Sequence, residues 1–231
     1  MIATKGIETG SLKLMTEVAG ETIPLSPDDV AILSGPSFAV EVARQLPTAV
    51  VVASSRASLA ASLQEEFSSE TLRLYTNSDP IGVQVCGAIK NVLAIAAGIL
   101  IGREMGANAV AALMTRGLAE MQRLGVSIGG RPATFAGLAG VGDLILTATG
   151  DLSRNRRFGI ELGQGRAPAE ILSGMTMVVE GVRTAEAASR LAALRGVEMP
   201  IVDQMRRVLH DELPIGDAIA GLMSRRLRSE G

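Results

Sequence analysis

A lysine in the middle of an apolar helix is the first residue here that asks for a chemical explanation. From Val83 to Ile101 the chain is almost wholly apolar, yet Lys90 and Asn91 stand near its centre. Snorkelling to water is hard from mid-helix, so a lysine placed there points to use rather than solubility. Desolvation and nearby positive charge both lower a lysine pKa, which suits it to general acid or base work near neutral pH. The run is almost long enough to imitate a membrane span. Its two central polar residues and the lack of flanking aromatics argue instead for a helix buried inside protein, with no membrane span.

Four other blocks carry groups that could serve such a lysine. Ala3-Thr4-Lys5-Gly6 puts a lysine at the end of a short apolar run, where open parallel sheets meet anionic ligands. A lysine before a glycine at a turn is also compatible with plain solvation. Ser34-Gly35-Pro36-Ser37-Phe38-Ala39 follows a second apolar run: Gly35 lets backbone approach a ligand, Pro36 suits a first helical turn, and Ser37 offers a hydroxyl or N–H. Helix capping accounts for the same residues equally well. Thr134 to Leu144 is rich in glycine, but its order is G-x-x-G-x-G, with no strand before it and no acidic residue at the right distance after it. It is not a dinucleotide loop. It reads as a tight helix junction that aims Asp143, with Thr147 one turn later on the same face. Ser153-Arg154-Asn155 combines groups that grip phosphate through charge-assisted bonds, although alone it could be a solvated basic face. Val178-Val179-Glu180-Gly181 carries no signal by itself.

These residues need a scaffold, and two patterns supply it. Up to residue 78, short β-like runs (Met1–Thr4, Ala31–Leu33, Thr48–Ala53, Leu72–Tyr75) alternate with helical spacing at Ser11–Ala19, Phe38–Gln45 and Ala57–Phe67. That alternation predicts a mostly parallel α/β sheet. From Asp79 onward no strand is expected. Pro80–Gly102 and Asn108–Leu124 predict long Ala-rich helices, and the last helix is expected from Ile215 to Arg226.

Composition excludes several functions. The net charge of −2, the absence of Trp and an aromatic content of 2% leave neither a basic footprint nor stacking platforms, so no nucleic acid is expected. The lone Cys86 forbids an intrachain disulfide and fits a cytoplasmic setting. His210 is the only histidine, and no motif around it supports a metal site or a catalytic triad. The N-terminus has no secretory pattern.

Taken in order, A-T-K-G at 3–6, G-P-S-F-A at 35–39, G-A-I-K-N-V at 87–92, G-x-G-D-L at 140–144, S-R-N at 153–155 and V-E-G at 179–181 resemble the bacterial NAD(P)-dependent glycerol-3-phosphate dehydrogenases. The resemblance implies a partial parallel, Rossmann-type sheet in residues 1–78, the C-terminal part of a dinucleotide-binding domain. An all-α substrate and catalytic domain would follow in residues 79–231. It implies hydride transfer between NAD or NADP and sn-glycerol 3-phosphate or dihydroxyacetone phosphate, supplying glycerol 3-phosphate for phospholipid synthesis; separately, the long Ala-rich helices lead one to expect a homodimer.

By that resemblance Lys90 is the general acid/base at the C2 hydroxyl. Lys5 is the second active-site lysine, lowering the pKa of Lys90, and Asp143 orients the reacting lysine or the substrate hydroxyls. Substrate contacts would be Lys5, Gly35, Ser37, Lys90, Asp143, Ser153, Arg154 and Asn155, with Thr147 a weaker candidate. Cofactor contacts would be Lys5, Ala39, Arg154, Val178 and Glu180, and no metal is implied. The family's opening strand–glycine loop–helix has no counterpart in this sequence. About a hundred residues of its first βαβ units are therefore expected to be missing, and this stretch alone is not expected to turn over. Two other readings are a related β-hydroxyacid or sugar-acid dehydrogenase, and a truncated, inactive helical dimerisation module.

Overall fold

The computed structural model describes residues 1–231 except positions 25, 176, 177, 227, 228, 230 and 231. After helix α1 (Met15–Thr22), three strands form one sheet in the order β1 (Ile32–Ser34), β2 (Thr48–Ala53), β3 (Leu72–Asn77). Helix α2 (Ala39–Ala43) joins the first pair and α3 (Ala57–Phe67) the second. Among the described residues everything beyond β3 is helical or irregular.

The sheet is mixed rather than parallel throughout. β2 and β3 run parallel from Thr48↔Leu72 to Ala53↔Asn77, but β1 pairs with β2 antiparallel, Ile32 opposite Ala53. The two connections also differ in their helices. The eleven residues of α3 span the sheet and return the chain in the same direction. β1 leads to β2 through the five residues of α2, and there the chain doubles back. Met1–Thr4, expected as a strand, contributes one parallel bridge. Ile2 N–H donates to Ala31 and Ile2 C=O accepts from Leu33, at 2.7 and 2.9 Å. Gly6, at φ 150°, then turns the chain out of the sheet. Other boundaries move by a few residues. α1 begins at Met15 rather than Ser11, and α2 at Ala39, so Pro36 and Ser37 precede the helix instead of opening it.

Helix α4 (Pro80–Gly102) is the axle of the remainder. Asp79 caps it, accepting from Gly82 N–H at 2.8 Å, and Pro80 takes the first helical position, where its missing donor costs nothing. The helix is long and apolar enough to cross a membrane, but it is buried almost end to end in protein. Against it pack α5 (Gly106–Ser127), α7 (Asp143–Thr149), α8 (Arg154–Gly163) and α10 (Glu180–Leu194). The short α6 (Pro132–Phe135) and a π turn at Leu138–Gly142 lead into α7. Helices α9 (Pro168–Gly174), α11 (Pro200–His210) and α12 (Ile215–Met223) complete the chain.

Helix α8 crosses α4 at glycines on both helices. Gly98 and Gly102 of α4 face Gly159 and Gly163 of α8: a Cβ on Gly98 would lie 2.9 Å from Cα of Gly159 and overlap the Arg156 carbonyl. Backbones touch here because no side chain intervenes. The N-terminus of α8, with Ser153, Arg154 and Asn155, is thereby carried up to the Lys90 turn of α4.

Candidate active site

Lys90 is buried, 6% exposed, and its Nζ has two partners, Oδ1 of Asp143 and Oγ1 of Thr147, the latter at 3.0 Å. Asp143 opens α7, delivered by the π turn, where Gly140 lies so close to the Phe135 carbonyl that a Cβ could not be accommodated. Its second oxygen, Oδ2, accepts from Lys5 Nζ at 3.0 Å, and Thr147 Oγ1 donates to Oδ1 at 3.2 Å. One carboxylate, 1% exposed, therefore stands between two ammonium groups. Burial, then the positive charge of Lys5, pull the Lys90 pKa down from 10.5 to about 8, and Asp143 offsets part of that fall. The result is an amine that can hold or release a proton near neutral pH, with Lys5 left 21% exposed at the rim.

A second buried polar chain begins at the next residue. Asn91 Nδ2 donates to Glu180 Oε2 at 2.9 Å, Asn155 Nδ2 donates to Asn91 Oδ1 at 3.0 Å, and Gly181 N–H donates to Asn155 Oδ1 at 3.0 Å. Three helices, α4, α8 and α10, are tied together by these bonds. Ser153 is the buried N-cap of α8, accepting from Arg156 N–H at 3.2 Å. Arg154, at the first position of α8, has no carboxylate partner among the described residues, in contrast to Arg156, which pairs with Asp151 at 2.9 Å. A cation at a helix N-terminus without a partner fits an anionic ligand.

The loop before α2 reaches the same region from the sheet. Gly35 is buried at φ 134°, and a Cβ there would lie 3.0 Å from Cα of Val50, so only glycine fits. Ser37 is exposed and its hydroxyl donates to the Gly35 carbonyl at 3.1 Å. Phe38 packs against Gly150 at the end of α7, bringing the loop beside the helix that carries Asp143 and Thr147. Ala39 and Val178 are exposed, Val178 at 62%, while Glu180 is engaged with Asn91.

The structure thus joins Lys5, Lys90, Asp143 and Thr147 in one group, and Asn155 and Glu180 in an adjoining one. For Gly35, Ser37, Ala39 and Val178 it gives proximity or exposure, but no direct bond to either group. Asn91 carried no role in the sequence reading, although a polar residue beside Lys90 in an apolar helix was its available signal. The paired glycines four apart in α4 and α8 were also legible as a close-crossing pattern. No group of three or more His, Cys, Asp or Glu able to hold a metal occurs among the described residues.

Comparisons with known proteins agree across the chain. A family model described as NAD-dependent glycerol-3-phosphate dehydrogenase N-terminus matches residues 1–60, and its C-terminus counterpart matches residues 79–220. A curated relative from Geobacter sp. (strain M21), named as an NAD(P)+ glycerol-3-phosphate dehydrogenase, is 54% identical over 232 residues, covering 99% of this chain and 69% of its own length. One of the same name from Koribacter versatilis is 55% identical over 226 residues, covering 96% and 67%. The crystal structure of glycerol-3-phosphate dehydrogenase from Coxiella burnetii superposes with a TM-score of 0.91 at 44% identity, over 96% of this chain and 68% of that one.

Proposed function

Because the chain belongs to the NAD-dependent glycerol-3-phosphate dehydrogenase family, we propose that it carries the catalytic machinery for hydride transfer between NAD(P) and glycerol 3-phosphate or dihydroxyacetone phosphate. The observation that carries the reading is the Lys90–Asp143–Lys5 group, buried at Lys90 and Asp143 with Lys5 at its rim, beside an arginine without a carboxylate partner among the described residues and a buried asparagine at the adjoining helix terminus. In oxidation, Lys90 Nζ takes the proton of the C2 hydroxyl, and in reduction it returns it. Asp143 and Thr147 hold Nζ in place through the two bonds described above. Lys5 supplies positive charge at the rim, where an alkoxide or carbonyl oxygen develops charge. Arg154 and Asn155 hold the phosphate end, with Ser153, Gly35 and Ser37 completing the substrate contacts.

The contacts we assign to the nicotinamide cofactor are Lys5, Ala39, Arg154, Val178 and Glu180, of which Ala39 and Val178 offer exposed apolar surface and Arg154 a cation without a carboxylate partner among the described residues. When bound, that group accepts or gives the hydride, and the protein supplies position and charge. We assign residues 1–78 to the dinucleotide-binding part and 79–231 to the substrate part, in a cytoplasmic homodimer supplying glycerol 3-phosphate for phospholipid synthesis. The S-R-N block favours a phosphorylated substrate over a β-hydroxyacid or sugar acid. The test is NAD(P)H-coupled turnover of the native enzyme with glycerol 3-phosphate, glycerol and a 3-hydroxyacid. Turnover should require the phosphate. Preference for the hydroxyacid, or unimpaired turnover after Lys90→Met, would overturn the reading.

A further inference from the structure

Gly87 lies three residues before Lys90, on the same side of α4. A glycine inside a helix costs roughly 1 kcal/mol relative to alanine, so its place in the most buried helix asks for a cause. The space beside it is occupied. A Cβ on Gly87 would lie 3.2 Å from Oγ of Ser34 and 3.3 and 3.4 Å from Cγ and Cδ of Lys5. The aliphatic stem of Lys5 therefore crosses α4 over a position without a side chain. From there its Nζ reaches Oδ2 of Asp143 at 3.0 Å. Ser34, 3% exposed at the end of β1, walls the other side, and its Oγ has no hydrogen-bond partner among the described residues. The gap here is lined by Thr4–Gly6, Ile32–Ser34, Val83, Gln84 and Gly87. An added methyl group would press on the Lys5 stem and the Ser34 hydroxyl, which would have to give by a few tenths of an ångström.

We propose that Gly87 is a positioning residue: its missing side chain forms the notch, closed by Ser34, through which Lys5 is threaded onto Asp143 opposite Lys90. This rests on the reading of Lys90 as the acid/base. The notch sets how near the second ammonium stands to the first, and that proximity is one of the causes holding Lys90 below its ordinary pKa.

The experiment is a double-mutant cycle in the native enzyme, Gly87→Ala with Lys5→Ala, read by thermal midpoint, kcat and the pH dependence of kcat/KM. Alanine favours the helix, so the Gly87→Ala midpoint should stay within a few degrees of wild type. Its kcat should fall about tenfold, in keeping with the sensitivity of catalysis to sub-ångström misplacement. The rise of kcat/KM with pH should move upward from about 8. In the Lys5→Ala background the same change should add no further loss, because the stem it displaces is gone. Additive losses, an unmoved pH midpoint, or unchanged kcat in Gly87→Ala would overturn the proposal. If Gly87→Ala alone does not fold while the double variant does, the clash with Lys5 is upheld; if neither folds, the glycine serves packing and the proposal fails. The acid/base reading fails separately, on turnover by Lys90→Met.

Discussion

Replacing Lys90 by methionine should raise stability while removing activity. Methionine fills a similar volume and adapts its shape to the site, and Asp143 keeps Lys5 and Thr147 as partners, so no carboxylate is left unpaired. The fall of the Lys90 pKa from 10.5 to about 8 means that the folded protein holds this ammonium less readily than the unfolded chain. At ~1.4 kcal/mol per pH unit the burden at neutral pH is about 3 kcal/mol. The value of about 8 already includes the attraction to Asp143, so Lys90→Met should gain on the order of 3 kcal/mol at neutral pH. The sign with pH follows from proton counting. Between about 8 and 10.5 the unfolded chain binds more protons at this position than the folded one, so wild-type stability rises with pH. The advantage of the variant should therefore shrink across that window. Meanwhile kcat should drop about 10²–10⁴-fold, the usual contribution of general acid–base catalysis. Urea unfolding near pH 7 and near pH 10, beside steady-state kinetics, measures all three quantities. A variant less stable than wild type at neutral pH, or a gap independent of pH, would refute the desolvation argument; near-normal kcat would refute the role.

Gly159→Ala would gain helix propensity on an exposed surface, but here its Cβ meets the Ile95 carbonyl and lies 3.0 Å from Cα of Gly98. It should cost about 1–3 kcal/mol or more in urea unfolding and lower kcat by shifting Asn155 from Asn91; a stabilised variant would contradict the close crossing. Arg154→Lys should raise KM for glycerol 3-phosphate about tenfold, since lysine lacks the guanidinium fork, with glycerol nearly unaffected; equal loss on both would assign the residue to the cofactor or to structure. Glu120 of α5 is buried and accepts from the N–H groups of Ile201 and Val202 at the start of α11, at 2.8 and 3.2 Å. Burial pushes its pKa from 4.5 to about 7 against those bonds, so stability should fall as pH rises through that range. Glu120→Gln should gain about 2–3 kcal/mol on wild type between pH 5 and pH 8 in paired melts, and a difference flat with pH would remove the argument.

The sequence by itself determined the kinds of group and the elements that carry them. Lys90 was legible because a charge in a nineteen-residue apolar run has few explanations, and Asp143 because the glycines before it could be read as a junction and not a nucleotide loop. The switch from strands to helices near residue 79 was legible from periodicity, and α4 and β2 fall where the apolar runs predicted. Tertiary structure alone decided how these groups meet. That Lys5 and Lys90, 85 positions apart, share the two oxygens of one carboxylate depends on threading past Gly87. The Asn91–Asn155 bond depends on backbones touching at Gly98 and Gly159. The antiparallel pairing of β1 beside a parallel β2–β3 pair is a further outcome that periodicity does not report. Composition and spacing report what each residue prefers locally, whereas these outcomes turn on distances of a few ångströms between segments far apart in the chain, set only when the core closes.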